Sequence, residues 1–357
     1  MKIKPMTKFA ILALSLVLVA CAGGGSEEAG CPAIDGREIN VVATTPMIGE
    51  FVSQVGGENI NLTVLMPPEA NPHTYEPAPQ DAGTIAEADL VFYTGLLYEP
   101  AALVKLLENS ACSTDILSEV GESVFPIEFK EGGHDDHDDH DDEEGHDDHD
   151  DEEGHDDEEG HDDEEGHDDE EGHDDHEGHN HGAYDPHFWF DPSRVAYAAE
   201  YIESRLIQFD PENESSYISS ADSFVSELND LTKQVSELIS TVPSQNRKLI
   251  TTHESLGYLE AKFGLEVLST IIPSLNSANE ISPSDLAGVI DVIEDNNVKV
   301  IFIESEAPSV YSETIVAETG IKPVTGLYVE TLKPGQSYSE FLISNVKLIT
   351  ENLQDTD

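Results

Sequence analysis

The sequence predicts an α/β protein of two Rossmann-like lobes, each built on a parallel sheet, joined by one long helix. Three observations predict it. Short β-branched runs alternate with helical stretches from about residue 38, two consecutive helical stretches interrupt them at 193–241, and the alternation resumes at 247.

In the first lobe, EINVVAT (38–44) is a short apolar strand, and a helix is expected over Met47–Val55. INLTVLM (60–66) reads as the second strand, DAGTIAEA as a short helix, LVFYT (90–94) as a strand and AALVKLLEN (101–109) as a helix. The Asp210-Pro211 pair breaks the helical region in two. Beyond it Tyr217, Phe224, Leu228, Leu231, Val235 and Leu238 recur mostly at threes and fours, which places one apolar stripe along a long helix. RKLITT, LEVLST, VKVIFIE and KPVTGLY are the strands expected of the second lobe. Helices are expected over Leu256–Phe263, Ser284–Glu294, Ser312–Thr319 and Tyr338–Asn352. The division that follows is 37–210 for the first lobe, 211–243 for the connecting helix and 244–357 for the second lobe.

The N-terminal stretch reads as an export signal over 1–20. Lys2, Lys4 and Lys8 precede a twelve-residue apolar run, Phe9 to Ala20, too short to span a bilayer. Leu18-Val19-Ala20-Cys21 resembles a lipobox, which makes Cys21 the lipidated residue and 21–36 a flexible tether. The protein is therefore expected outside the cytoplasm, held on the cell membrane as a lipoprotein. Cys31 and Cys112 remain, and an exported protein allows them either to pair as a disulfide or to stay as two buried thiols.

The formal charge is −59, and half of it is local. Residues 134–181 hold 29 acidic residues, 12 histidines and no Lys, Arg or hydrophobic residue, with the unit GHDDEE repeated over 154–173. Such a tract cannot form a packed core and is expected to be a disordered insertion in the first lobe. The remainder still carries 46 acidic against 16 basic residues, which excludes nucleic acid as a partner and favours cations. Within the tract, His134, His137, His140, His146, His149, His155, His161, His167, His173, His176, His179 and His181 each lie near carboxylates. They form a string of weak, fast-exchanging auxiliary metal sites, because ordering a flexible chain costs conformational entropy at every one.

Three histidines lie elsewhere: His73 in NPHTYEP (71–77), His187 in DPHFWFDP (185–192) and His253 in ITTHESLGY (250–258). Pro72 and Pro186 stiffen the turns that present two of them, and His253 ends a strand, at the sheet edge where ligands bind in open α/β folds. Three imidazoles and a carboxylate suit a tetrahedral first-row metal.

NPHTYEPAPQDAGTIAEADLVFYTGLLYEP (71–100), DPHFWFDP, TTHESLGYLEAKFGL (251–265), IEDNNVKVIFIESEAPS (293–309) and TGLYVETL (325–332), in this order behind a lipobox, resemble the zinc and manganese substrate-binding lipoproteins of ABC importers. The resemblance covers the chain apart from the tract. It implies a metal in the cleft between the lobes, held by His73, His187, His253 and Glu330, the last standing where the family usually has Asp, with Glu304 as the competing acid. It also implies an ABC permease with its ATPase as partners and a monomeric carrier. Imidazole at position 253 rather than a carboxylate favours Zn2+ over Mn2+. Zinc members often carry a His-rich loop at this place, which implies capture or buffering of zinc by the tract. A zinc hydrolase is disfavoured, since Glu254 beside His253 lacks the second histidine of H-E-x-x-H. A zinc-storage protein or adhesin is the other alternative. Binding is expected to weaken as pH falls through about 6.5, where free imidazole protonates.

Overall fold

The structure is a computed structural model that describes residues 31, 34, 36–68, 70–129, 184–305 and 310–354. The signal segment, Cys21 and the whole histidine-rich tract lie outside the described residues.

The first lobe is built on a parallel sheet of order β2-β1-β3-β4: β1 (Ile39–Ala43), β2 (Ile60–Val64), β3 (Leu90–Tyr93) and β4 (Leu117–Glu119). Ile39 pairs with Ile60, Val41 with Leu90 and Val91 with Leu117. β1 and β3 are almost wholly buried, as apolar strands covered on both faces must be. β4 has no counterpart in the sequence reading, because the three residues of LSE are too few to show a period. Helix α1 (Pro46–Gly56) starts where the Thr45 hydroxyl accepts from the Ile48 N–H and proline occupies the first turn. α2 (Pro79–Ala86) and α3 (Ala101–Ser110) cover the sheet beside a second apolar cluster around Val91, Leu103 and Leu107. Cys31 and Cys112 are joined by a disulfide, Cα to Cα 5.0 Å, which ties the start of the described chain to the end of α3.

α4 (Pro192–Phe209) and α5 (Glu214–Ser240) meet at Asp210, whose carboxylate accepts from the Tyr217 hydroxyl at 2.6 Å. The 27 residues of α5 span about 40 Å at 1.5 Å per residue. Its buried face is Tyr217, Ala221, Phe224, Leu228, Leu231, Val235 and Ile239; Leu238, expected on the stripe, is half-buried beside it. One continuous apolar core follows this helix from Val41 in the first lobe to Leu353 in the second. Truncating Leu228 at its centre to alanine is expected to cost about 2–5 kcal/mol.

The second lobe holds two parallel pairs: β5 (Lys248–His253) with β6 (Glu266–Ile272), and β7 (Val300–Glu304) with β8 (Lys322–Leu327). Side chains close the seam between β5 and β7. The Glu304 N–H donates to the Thr252 hydroxyl at 3.0 Å, and the His253 N–H donates to the Glu304 carboxylate at 3.1 Å. α6 (Gly257–Phe263), α7 (Pro283–Asp295) and α8 (Val310–Thr319) flank these strands. α9 (Tyr338–Gln354) returns to pack on α5 and α1, so the lobes are fastened along two helices. Among the described residues no helix is long and apolar enough to cross a membrane.

Candidate metal centre

His73, His187, His253 and Glu330 converge between the lobes. His73 sits in a 3-10 turn over Pro72–Thr74, opened by Asn71, whose side-chain oxygen accepts from the His73 N–H at 2.9 Å. His187 immediately precedes a buried 3-10 turn, Phe188–Phe190. His253 is the last residue of β5, and Glu330 lies three residues beyond β8, both at carboxyl ends of strands. One ligand atom from each of the four lies within 4.8 Å of all the others.

The acid is central. Glu330 Oε1 is 3.0 Å from His73 Nε2 and 2.9 Å from His253 Nε2, and Oε2 is 3.5 Å from His187 Nε2. Nε2 of His187 and of His253, both fully buried, have no partner beside this carboxylate. Two buried imidazole nitrogens that converge on one carboxylate and have no other partner share a common space, and burying them so is costly unless protons or a cation satisfy them.

The far side of two rings is pinned. His187 Nδ1 is 2.8 Å from Asp185 Oδ1, which also accepts from the His187 main-chain N–H at 2.8 Å. His253 Nδ1 bonds to Glu304 Oε2. Each carboxylate accepts a hydrogen bond from Nδ1–H and turns Nε2 towards the cleft, the usual support for a metal-ligating histidine. Glu304, the competing acid of the sequence reading, therefore stands behind His253, outside the convergent four.

These contacts set the charge. Burial by itself would lower the His187 pKa, but Asp185 and Glu330 outweigh it and raise it to about 9. Burial likewise opposes protonation of His253, and the charges of Glu304 and Glu330 override it, carrying the ring well above its ordinary value. Burial would raise Glu330, yet His73 and His253 hold its carboxyl well below the usual range.

Sequence reasoning did not single out Asp185, Tyr98 or Trp189. Asp185 left a signal, since an aspartate two residues before a histidine can accept that residue's N–H. The other two left none: Tyr98 reaches Glu330 across 232 residues, and the Trp189 indole donates to Val329 O across 140.

The profile of the family described as zinc-uptake complex component A, periplasmic, matches residues 41–352. The chain belongs to this family. It is a substrate-binding component of a metal ABC transporter, a class that works with a permease and an ATPase, and it is not an enzyme. The high-affinity zinc uptake system protein of Bacillus subtilis is 26% identical over 355 residues, covering 97% of this chain and 96% of that protein. The manganese-binding lipoprotein of Halalkalibacterium halodurans is 22% identical over 341 residues, 95% of this chain and 94% of its own length. The periplasmic zinc binding protein of Treponema pallidum superposes with a TM-score of 0.69 at 20% identity, covering 88% of this chain and 99% of that one. Proteins named for zinc and for manganese are thus both among the relatives of this chain.

Proposed function

We propose that this chain is the zinc-binding component of its importer, with His73, His187, His253 and Glu330 as the ligands. The observation that carries the reading is the pair of buried Nε2 atoms that face one carboxylate and have no other partner. Three imidazoles and one carboxylate oxygen are the donor set of a tetrahedral zinc site. At Zn–N of 2.0–2.1 Å such donors stand about 3.4 Å apart, so a group already within 4.8 Å closes with small ring rotations. Two donors come from each lobe, so docking on the permease releases the ion by parting the lobes. The lipobox at Cys21 anchors the chain on the outer side of the cell membrane, and it works as a monomer with lobes divided as the sequence suggests. The histidines of 134–181 supply auxiliary weak sites that capture or buffer zinc beside the cleft.

A manganese carrier is the second reading, favoured by the relatives named for that metal. Metal uptake by cells that lack the chain separates the two, since zinc outbinds manganese at most nitrogen and oxygen sites whatever the cargo: zinc accumulation falls in the proposed reading, and manganese accumulation in the other. His253→Ala should raise the zinc Kd at least about 100-fold with the circular dichroism spectrum unchanged. An unchanged Kd removes that residue from the site. Deleting 134–181 should lower the number of weak zinc sites in calorimetry and keep the tight one; an unchanged number of weak sites refutes the capture role.

A further inference from the structure

Tyr98 is a first-lobe residue that meets the second-lobe acid. Its hydroxyl lies 2.9 Å from Glu330 Oε2 and 3.1 Å from the Glu330 carbonyl oxygen. The ring is buried, edge-on to His73 at 5.0 Å, to His187 at 5.9 Å and to Trp189 at 5.3 Å.

The turn that delivers Tyr98 is unusual. Gly95, Leu96 and Leu97 have φ of 76°, 54° and 62°, three successive left-handed residues of which two carry side chains. L residues rarely adopt this conformation and persist in it only where the surroundings over-determine it. Here two carboxylates do so. Glu99, fully inside, accepts from the N–H groups of Thr94 at 2.6 Å and Gly95 at 2.9 Å and from the Thr44 hydroxyl at 2.7 Å. Glu119 accepts from the Leu96 N–H at 2.9 Å. A Cβ at position 95 would stand 2.0 Å from Glu119 Oε1, so only glycine fits there. The hydroxyl of Tyr98 is thus a fixed donor, placed by strain that the packing sustains.

The consequence falls on Glu330. Oε1 faces His73 and His253 at 3.0 and 2.9 Å, while Oε2, 3.5 Å from His187 Nε2, is held more closely by a phenol at 2.9 Å. A carboxylate engaged in this way offers a metal one oxygen. We propose that Tyr98 determines metal selectivity by fixing Glu330 as a monodentate ligand. This rests on the assignment of His73, His187, His253 and Glu330 as the ligands. Four donors satisfy zinc, whereas manganese favours more oxygen donors and a higher coordination number. Without the hydroxyl, Oε2 is free to swing onto the ion and supply a fifth donor.

The test uses the full chain and its Tyr98→Phe variant, with Co2+ added below one equivalent as a probe of coordination number and Zn2+ and Mn2+ affinities measured by chelator competition. Wild type should show the intense visible bands of four-coordinate cobalt, and the variant the weaker bands of a higher coordination number. The zinc Kd should rise about 10- to 100-fold, as for loss of other groups that orient a ligand, while manganese binding holds or tightens. Unchanged cobalt bands, or zinc and manganese weakened by one common factor, would reduce Tyr98 to packing and overturn the proposal. Tyr98→Leu, which also lacks the hydroxyl, replaces the phenylalanine variant should that fail to fold by circular dichroism. Failure of the underlying site is seen separately: a zinc Kd unchanged by Glu330→Ala in the otherwise native chain removes Glu330 from the site whatever Tyr98 does.

Discussion

Zinc binding should release about two protons, and its affinity should climb steeply with pH. Without metal, Asp185, Glu304 and Glu330 place three buried carboxylates against the histidine cluster. Protons on His187 and His253 offset two of those three charges, and the same carboxylates raise the first ring to about 9 and the second well above its ordinary value. Below those values the imidazolium is the resident form, so the proton competes with the metal and falling pH weakens binding. A divalent ion that displaces two protons leaves the buried charge unchanged, and so avoids the large cost of changing net charge in a low-dielectric site. With two protons displaced, log Kd falls by about two per pH unit. Between about pH 7 and 8.5 this amounts to roughly 1,000-fold, or about 4 kcal/mol at 1.4 kcal/mol per decade. The slope then flattens as His187 deprotonates near 9. Calorimetry of the tight site at one pH, in buffers of different ionisation enthalpy, counts the protons directly, and chelator competition across the range gives the slope. Release of fewer than one proton near pH 7, with a flat Kd, would refute the charge exchange. The window lies higher than the 6.5 of free imidazole because the three carboxylates are buried with the rings.

Gly257→Ala should weaken zinc about tenfold, since its Cβ would fall 2.7 Å from Asp185 Oδ2 and push the carboxylate that orients His187; an unaltered Kd would show that Asp185 yields freely. Replacing Cys31 and Cys112 by serine opens a loop of 81 residues, worth about 4.5 kcal/mol by loop-closure entropy and typically about 2–4 in practice. Urea unfolding should report that loss while the zinc Kd holds. Equal unfolding midpoints would mean that the bond adds nothing to stability.

Much of the fold and site was legible in the sequence because its signals are local. β-branched runs, the heptad-like stripe of α5 and the Asp210-Pro211 break act within a few residues, and each produced its element. β4 escaped because three residues carry no period. His73, His187 and His253 stood out by scarcity, three histidines outside a tract that holds twelve. The sequence could also name Glu330 and Glu304 as rival acids, through the resemblance to the metal-binding lipoproteins.

What separates those acids is contact across the chain, which a linear pattern does not encode. Only the tertiary structure sets Glu330 among three imidazoles and turns Glu304 onto the back of His253. It alone decides that Cys31 meets Cys112, and that Tyr98 reaches Glu330 from the other lobe. The sequence by itself determined the elements and the kind of chemistry, because propensity, periodicity and donor type belong to single residues and their neighbours. Ligand geometry, ring orientation and buried charge depend on groups brought together over hundreds of residues, and packing of the two lobes along α5 is what brings them there.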